Sequence, residues 1–221
     1  KDQSLGRMNY YIEQHAGEYK NLDEYIDYSM YVQAEGIKFA CEHFRRRFPH
    51  TAGALVWQLN DCMPVHSWSM IDYDLIPKAS YYYAARFFTP AAISLEEIDD
   101  TLTGVWVLNN TQLDLNDTIK LEVRDFFGNL FYSEELKADV PANTAVKLKE
   151  LRVGGRFYPN VIIPNRHRMF YTAARGNRLG RQIRFFGNLK DIPFPPARLA
   201  AERTGDSITI RTDNFARFVK I

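Results

Sequence analysis

The sequence predicts a mixed α and β protein whose two halves differ in the spacing of their apolar residues. Before Pro90, one long segment repeats apolar residues every three or four positions, which is the period of an amphipathic helix. A continuous apolar run and a second helical segment follow it. After Pro90, apolar and polar residues alternate in short stretches that are separated by turn residues. These observations predict an α/β part followed by an all-β part.

The long helix is predicted over residues 21–48. Asn21 is a suitable N-cap, and Glu24 lies in the first turn, where the helix dipole favours acids. The run Arg45–Arg47 falls in the last turn, where the dipole favours cations, and Pro49 ends the helix. The basic run is therefore interpreted as a helix end, with a phosphate or nucleic-acid patch as the less favoured alternative.

One buried strand and a polar loop are predicted next. The run Gly53–Leu59 is apolar without alternation, which is typical of a strand covered on both faces in a parallel sheet. It ends at Asn60 and Asp61, and a second helix is predicted over residues 78–88. In a parallel barrel the active site lies where strands end and loops begin, so side chains at this end are candidates for ligand binding.

The candidates at this strand end are Trp57, Asn60 and Asp61. An indole can form a flat apolar wall against the C–H face of a sugar, and amide and carboxylate groups can hydrogen-bond its hydroxyls. The alternative also stands, in which Trp57 is core and the two polar residues cap the loop.

The carboxyl groups form no evident catalytic pair, which a glycosidase would need. Asp61 and Asp72 flank one loop, and His66 in that loop is interpreted as a surface residue or a local hydrogen-bond partner rather than a catalyst. Residues 1–21 are predicted to be loop or irregular structure. The acids of the long helix are predicted to form a solvated face: Glu24, Glu35 and Glu42.

The second half is predicted to be an immunoglobulin-like β-sandwich, because short strands recur at regular spacing. In Thr118–Arg124 the apolar residues alternate strictly, so one face is expected to be buried. A proline-rich connector, Asp191–Pro196, precedes a further pair of strands near Ser207. An alternative function is a stand-alone carbohydrate- or protein-binding sandwich with a strip of exposed aromatic residues. Four residues could supply the strip, although the alternation predicts that several of them are core: Trp106, Phe126, Phe131 and Tyr132.

Composition excludes several classes of partner. Lys and Arg number 28 against 27 for Asp and Glu, so no global field favours nucleic acid or an anionic membrane. Cys41 and Cys62 are too few for a disulfide framework and have no metal-binding spacing.

Several motifs in the first half resemble glycoside hydrolase family 2, and within it the β-mannosidases. These motifs are "WQLND" from Trp57, "SWSMIDY" from Ser67 and "PKASYYYAARFF" from Pro77, which resemble the last barrel strand and helix of that family. The resemblance implies the last βα portion of a (β/α)8 barrel over residues 1–90. It further implies an immunoglobulin-like sandwich over 91–190 and the beginning of a second sandwich over 191–221.

The implied activity is that of a retaining glycosidase that removes terminal β-linked mannose from oligosaccharides. The family's two catalytic glutamate motifs do not occur here, so no catalytic residue is assigned, and the chain is expected to be an inactive piece of a longer protein. By resemblance, Trp57 floors the sugar subsite, with Asn60 and Asp61 at the rim. Met63 stands where the family usually has Trp and is the fourth candidate substrate contact.

Two further expectations follow from the resemblance. A lone αβα portion cannot close a barrel, so exposed apolar faces should cause self-association of the chain. A family 2 enzyme acting on another sugar, such as galactose, glucuronic acid or glucosamine, is the remaining alternative.

Overall fold

The computed structural model describes residues 3–154 and 167–219. Within these ranges the first part contains three α-helices: α1 Gln3–His15, α2 Leu22–Arg46 and α3 Ala79–Phe87. The second part contains nine strands: β1 Ala91–Glu97, β2 Leu102–Asn109, β3 Leu115–Asp125, β4 Leu130–Val140, β5 Thr144–Arg152, β6 Phe170–Gly176, β7 Arg181–Phe185, β8 Leu199–Thr204 and β9 Ser207–Thr212. The mixed architecture that the sequence predicts is confirmed.

Helix α2 begins and ends where its sequence predicts. The side chain of Asn21 accepts a hydrogen bond from the backbone N–H of Glu24 at 2.9 Å, which caps the first turn. Arg45 and Arg46 lie in the last turn. On the buried face, Ala34 and Cys41 are 0% and 4% exposed, so the predicted apolar stripe does face the protein interior over its central part.

Residues 3–15 form a helix, so the prediction of an irregular start is wrong. Helix α1 buries one large side chain completely, that of Ile12. Its C-terminal end is fastened to a distant turn, because Lys190 donates to the carbonyl of Glu13 at 2.9 Å and His15 bonds to Asn188 at 2.9 Å. Tertiary contacts thus hold the end of the helix. The sequence also carries a helical signal that the prediction overlooked, because Leu5, Met8 and Ile12 recur at helical spacing.

The segment Gly53–Leu59 is not a buried strand in the structure. Leu55 is fully exposed and Trp57 is 73% exposed. The β-bridge nearest to this segment is an isolated parallel bridge between Asn60 and Ile71, just beyond its end. A parallel strand needs hydrogen-bonded neighbours along its edges. Among the described residues only the end of this segment has them, where Met70 and Ile71 donate to the carbonyls of Gln58 and Leu59. Before the sandwich, the described residues thus contain helices and a loop over residues 58–78, named the rim loop below, but they form no barrel.

Two antiparallel sheets form the immunoglobulin-like domain. One has the strand order β1-β2-β5 and the other β4-β3-β6-β7. The core lies between them, and along β3 the alternating residues Ile119, Leu121 and Val123 are fully buried. This confirms the predicted alternation. The β8–β9 hairpin pairs separately, and its role as the beginning of a second sandwich remains a prediction.

Strand β1 was not predicted, because it lacks the alternation of a half-buried strand. Four consecutive residues, Ala92–Leu95, are buried. The sandwich core covers one face of β1, and helix α2 covers the other at Ser94. The helical part therefore forms an outer layer over the smaller sheet.

A buried ion network joins α2 to β1 at this layer. Arg46 donates to the hydroxyl of Ser94 at 2.7 Å, and Ser94 donates to a carboxylate oxygen of Glu42 at 2.7 Å. Lys38 approaches the other oxygen of Glu42 at 3.5 Å, and Arg46 approaches Glu96 at 3.8 Å. Glu42 is only 3% exposed, so the predicted solvated face is wrong at this position.

Arg45 binds the connection between helix α3 and strand β1. Its guanidinium donates to the carbonyl of Thr89 at 2.8 Å, to the side chain of Asn110 at 2.6 Å and to the carbonyl of Phe87. These contacts satisfy carbonyls at the end of α3 that have no helical partner. The basic run is therefore a structural helix end, as predicted.

Replacing Arg46 with alanine is expected to lower the free energy of unfolding by about 3 kcal/mol, because the Glu42 carboxylate would stay buried without its guanidinium partner. Urea unfolding followed by circular dichroism measures the change. The control is Lys120→Ala, since Lys120 pairs with Glu122 at 2.7 Å but is 55% exposed, and an exposed pair contributes about 0–1 kcal/mol. Equal losses in the two variants would contradict the importance of the buried network.

Candidate functional site

The loop that follows Trp57 is organised around the carboxylate of Asp61. Ser67 donates to one carboxylate oxygen at 2.5 Å, and Ser69 donates to the other at 2.6 Å. The ammonium group of Lys78 lies 3.5 Å from the second oxygen and donates to Ser69 at 2.8 Å. Asp61 is 6% exposed. One residue thus joins the beginning, the middle and the end of the loop.

The contacts around Asp61 hold it in the ionised form. Hydrogen bonds from Ser67 and Ser69 lower the pKa of Asp61 below its ordinary value of 3.8, burial opposes them, and the charge of Lys78 lowers the pKa further. The alternative reading, in which Asp61 caps the loop, describes what this side chain does in the structure. Contact between Asp61 and a substrate stays a prediction.

Gln33 anchors the same loop to the helices. Its amide group donates to the carbonyls of Trp68 at 2.8 Å and Ser69 at 3.1 Å. Its carbonyl oxygen accepts from Ser80, at the start of α3, at 3.1 Å. Sequence reasoning singled out neither Gln33 nor Lys78. A glutamine in the middle of a helix and a lysine before one are ordinary surface patterns, and the loop lies more than thirty residues from Gln33.

Trp57, Asn60 and Met63 lie on the exposed side of this loop. Trp57 is 73% and Met63 is 53% exposed, and Asn60 makes a 3.3 Å hydrogen bond to the Asp61 carbonyl. The peptide bond between Trp57 and Gln58 is cis. Trp68 is 62% exposed on the same loop. The loop therefore presents large apolar side chains outward while its acid points inward.

The remaining candidate acids and His66 have local partners. Asp72 accepts the backbone N–H of Ile76 at 2.8 Å, which closes a turn. The ring of His66 stacks on that of Tyr25 with 6.3 Å between centroids. Neither arrangement creates a pair of facing carboxyl groups with Asp61.

The four aromatic residues proposed as a binding strip do not share one exposed face. Phe126 is 2% exposed and packs among other aromatic rings. Trp106 donates to Glu96 at 2.7 Å and lies under the ammonium group of Lys147 at 5.1 Å. Of the four, Phe131 alone is exposed, at 50%.

Within residues 3–154 and 167–219, no group of three or more His, Cys, Asp or Glu residues is placed to hold a metal ion. No helix in these ranges is long and apolar enough to cross a membrane.

The second half of the chain is similar to a known domain family. A model of the mannosidase Ig/CBM-like domain matches residues 103–191. Beta-mannosidase B of Aspergillus terreus is 35% identical over 117 residues, which is 46% of this chain and 14% of that protein. The corresponding enzyme of Aspergillus niger is 35% identical over 116 residues, with the same coverage. The chain thus spans about one seventh of the length of these relatives.

Solved structures resemble nearly the whole chain. The β-D-mannosidase of Dictyoglomus thermophilum has a TM-score of 0.81 and 26% identity, covering 95% of this chain and 26% of that one. The exo-chitosanase CsxA of Amycolatopsis orientalis has a TM-score of 0.71 at 14% identity, covers 95% of this chain and 28% of that one, and shares the fold.

The fold and these similarities define a helical segment joined to the immunoglobulin-like domain of a glycosidase-related protein. More particularly, residues 103–191 match the mannosidase Ig/CBM-like domain, and the chain is similar to part of the β-mannosidases of glycoside hydrolase family 2.

Asp61→Asn is expected to lower the unfolding temperature by a few degrees at about pH 7, because the amide lacks the charge that Ser67, Ser69 and Lys78 bind. Above pH 3.8, which is the pKa of Asp61 in the unfolded state, the ionised carboxylate stabilises the fold fully. This contribution is lost as the pH falls through the lower pKa of the folded state. The difference between the two proteins should therefore shrink below about pH 4.

Thermal unfolding at stepped pH measures this difference. Asp206→Asn is the control, since Asp206 is exposed in the turn between β8 and β9. A difference that stays constant down to low pH would contradict the role assigned to the Asp61 charge.

Proposed function

We propose that the chain is the C-terminal part of a retaining β-mannosidase that hydrolyses terminal non-reducing β-D-mannose residues of oligosaccharides. The observation that carries this proposal is the likeness to the Dictyoglomus β-D-mannosidase, with a TM-score of 0.81 over 95% of the chain. In this proposal residues 1–90 complete a (β/α)8 barrel, 91–190 form the sandwich behind it, and 191–221 begin a second sandwich.

Exposed apolar residues around the rim loop support the barrel assignment. Leu55 is fully exposed, and Leu75 and Ile76 are 73% and 61% exposed. Apolar side chains that crowd one surface mark an interface, because burying them removes apolar area from water at about 25 cal/mol per Å². Neighbouring barrel strands would cover this surface, and Gly53–Leu59 would then pair as the buried strand that its sequence predicts.

The rim residues have distinct roles in the proposed enzyme. Trp57 offers its indole face to the C–H face of the sugar, with Met63 as a flexible apolar neighbour. Asn60 hydrogen-bonds sugar hydroxyls. Asp61 holds the loop through Ser67, so that the indole is presented in one orientation before substrate arrives.

The bond-breaking groups lie elsewhere in the proposed enzyme. Retaining glycosidases use two carboxyl groups about 5–5.5 Å apart, one as nucleophile and one as acid and then base. Here Glu35 is bound by Arg217 and Tyr83, and Glu42 is bound within the α2–β1 network. The chain alone is therefore expected to be inactive, and the reaction requires no cofactor.

A chimera tests the proposal directly. Residues 1–221 replace the matching quarter of the Dictyoglomus β-D-mannosidase, and hydrolysis of p-nitrophenyl β-D-mannoside and β-D-galactoside is measured. The chimera should cleave the mannoside in preference, and the chain alone should cleave neither. Trp57→Ala in the chimera should lower kcat/KM by about 30-fold, the equivalent of about 2 kcal/mol of transition-state stabilisation.

Phe127→Ala is the matched control for Trp57→Ala, because Phe127 is a comparably exposed aromatic residue, at 61%, on the sandwich. A folded chimera that prefers the galactoside would overturn the mannose specificity. Turnover by the chain alone would show that a catalytic pair exists among its own acids.

Self-association is the second expected property of the chain. Leu55→Asp should shift the protein from oligomer towards monomer in sedimentation velocity, because it places a charge in the centre of the apolar rim surface. Leu113→Asp is the control, since Leu113 is 76% exposed but lies in the sandwich. A chain that is already monomeric at micromolar concentration contradicts this expectation.

A further inference from the structure

A cleft of about 450 Å³ lies on a different part of the molecule from the rim loop. Its walls come from α2, α3, β7 and the segment Phe215–Arg217, so it opens where the helices, the sandwich and the C-terminal segment meet. Its volume falls within the range of about 300–1,000 Å³ that is usual for small-molecule sites. None of the four rim candidates lines it.

Arg217 forms part of one wall of this cleft. Its guanidinium packs against the rings of Tyr31 at 4.8 Å and Phe185 at 4.3 Å. It also donates to Glu35 at 2.5 Å, and Tyr83 donates to the same carboxylate oxygen at 2.9 Å. The charge of Glu35 is thereby cancelled, and the wall offers aromatic carbon to a ligand rather than a free acid.

The cleft carries more positive than negative charge. Five cationic side chains line it against three carboxylates. Two of the carboxylates, Glu35 and Glu42, are already paired within the protein, with Arg217 and Lys38. Glu97 is the third, and among the described residues it has no ion-pair partner within 4 Å. The cations that face the cleft therefore exceed the carboxylates by two.

Arg86 on α3 and Arg181 on β7 hold this surplus charge. Both side chains are exposed, and no carboxylate in the described part of the chain forms an ion pair with either. Arg184 lies beside them and bonds only neutral acceptors there, the hydroxyl of Thr103 and the carbonyl of Asp99. Two unpaired guanidinium groups thus face one cavity from two different elements.

We propose that this cleft binds a small organic oxyanion, whose charged group is held by Arg86 and Arg181. The planar guanidinium fork donates two parallel N–H bonds to a carboxylate or a phosphate, which share this geometry. The aromatic wall formed by Tyr31, Phe185 and Phe215 packs against the carbon part of the ligand. Nothing in the proposed glycosidase reaction uses this cleft.

Binding here should stabilise the junction, because the ligand contacts the helices, the sandwich and the C-terminal segment together. A ligand that binds only the folded state raises the free energy of unfolding in proportion to the logarithm of its concentration. The stability of the folded chain would then depend on the concentration of the small anion.

Titration calorimetry and thermal unfolding test the proposal on the 221-residue chain. Inorganic phosphate and citrate are the probes, at constant ionic strength adjusted with chloride. Saturable binding of either is expected, with a rise in the unfolding temperature. Binding of phosphate alone assigns phosphate-bearing ligands, and binding of citrate alone assigns carboxylates.

Arg86→Gln and Arg181→Gln should each weaken binding at least about tenfold, which corresponds to about 1.4 kcal/mol. Arg181→Lys should also weaken it, because an ammonium lacks the bidentate fork. Arg211→Gln is the control, since Arg211 is exposed on β9 and does not line the cleft. Circular dichroism confirms that each variant is folded.

Absence of saturable binding up to about 50 mM of both probes would overturn the proposal, because a site that weak has no specific recognition. Equal weakening by Arg211→Gln would also overturn it, because it would show general charge attraction. These results do not depend on mannoside hydrolysis, so the cleft and the proposed glycosidase function can fail separately.

Discussion

The buried ion network between α2 and β1 is the interaction on which the arrangement of the two parts depends. Apolar contact between a helix and a sheet is non-directional, and it would allow several ways of docking. A buried guanidinium and carboxylate tolerate only arrangements in which each has its hydrogen-bond partners. Arg46, Ser94 and Glu42 form a chain of hydrogen bonds that fixes the helix on the sheet in one register. The Oε1 atom of Glu42 and the Nε atom of Arg46 have no hydrogen bond and are compensated only by charge, from Lys38 at 3.5 Å and Glu96 at 3.8 Å.

Helix α2 connects this docking to the rim loop. Gln33 anchors the loop near the middle of the helix, and Arg46 docks the sandwich at its end. The two residues are thirteen positions apart, or about 20 Å of rigid helix. Loop and sandwich are therefore held at a set distance by one element, while Arg45 binds the connection from α3. The loop therefore takes none of its own side chains from the sandwich, which contributes only to its placement.

Local sequence patterns correctly predicted the features that are set by residues close to one another in the chain. The cap at Asn21 and the alternation along β3 are local properties, and the structure has both. Two predictions failed where burial depends on distant partners. The end of helix α1 is held by Lys190 and Asn188, and Gly53–Leu59 has an exposed face because no strand in the described part of the chain pairs along it. The apolar run that indicated a strand buried on both faces packs on one side only, at Ala54 and Val56.

The sequence by itself determined where α2 begins and ends, which face of β3 is buried, and which family the Trp57 motif resembles, since capping, alternation and motif are properties of adjacent residues. Only the tertiary structure decided that Glu42 is buried and that Asp61 holds a loop. Glu42 meets Ser94 across 52 positions, and Asp61 meets Lys78 across 17. A carboxylate on a helix or in a loop is exposed by default, and only a distant hydroxyl or cation brought close by folding makes its burial favourable.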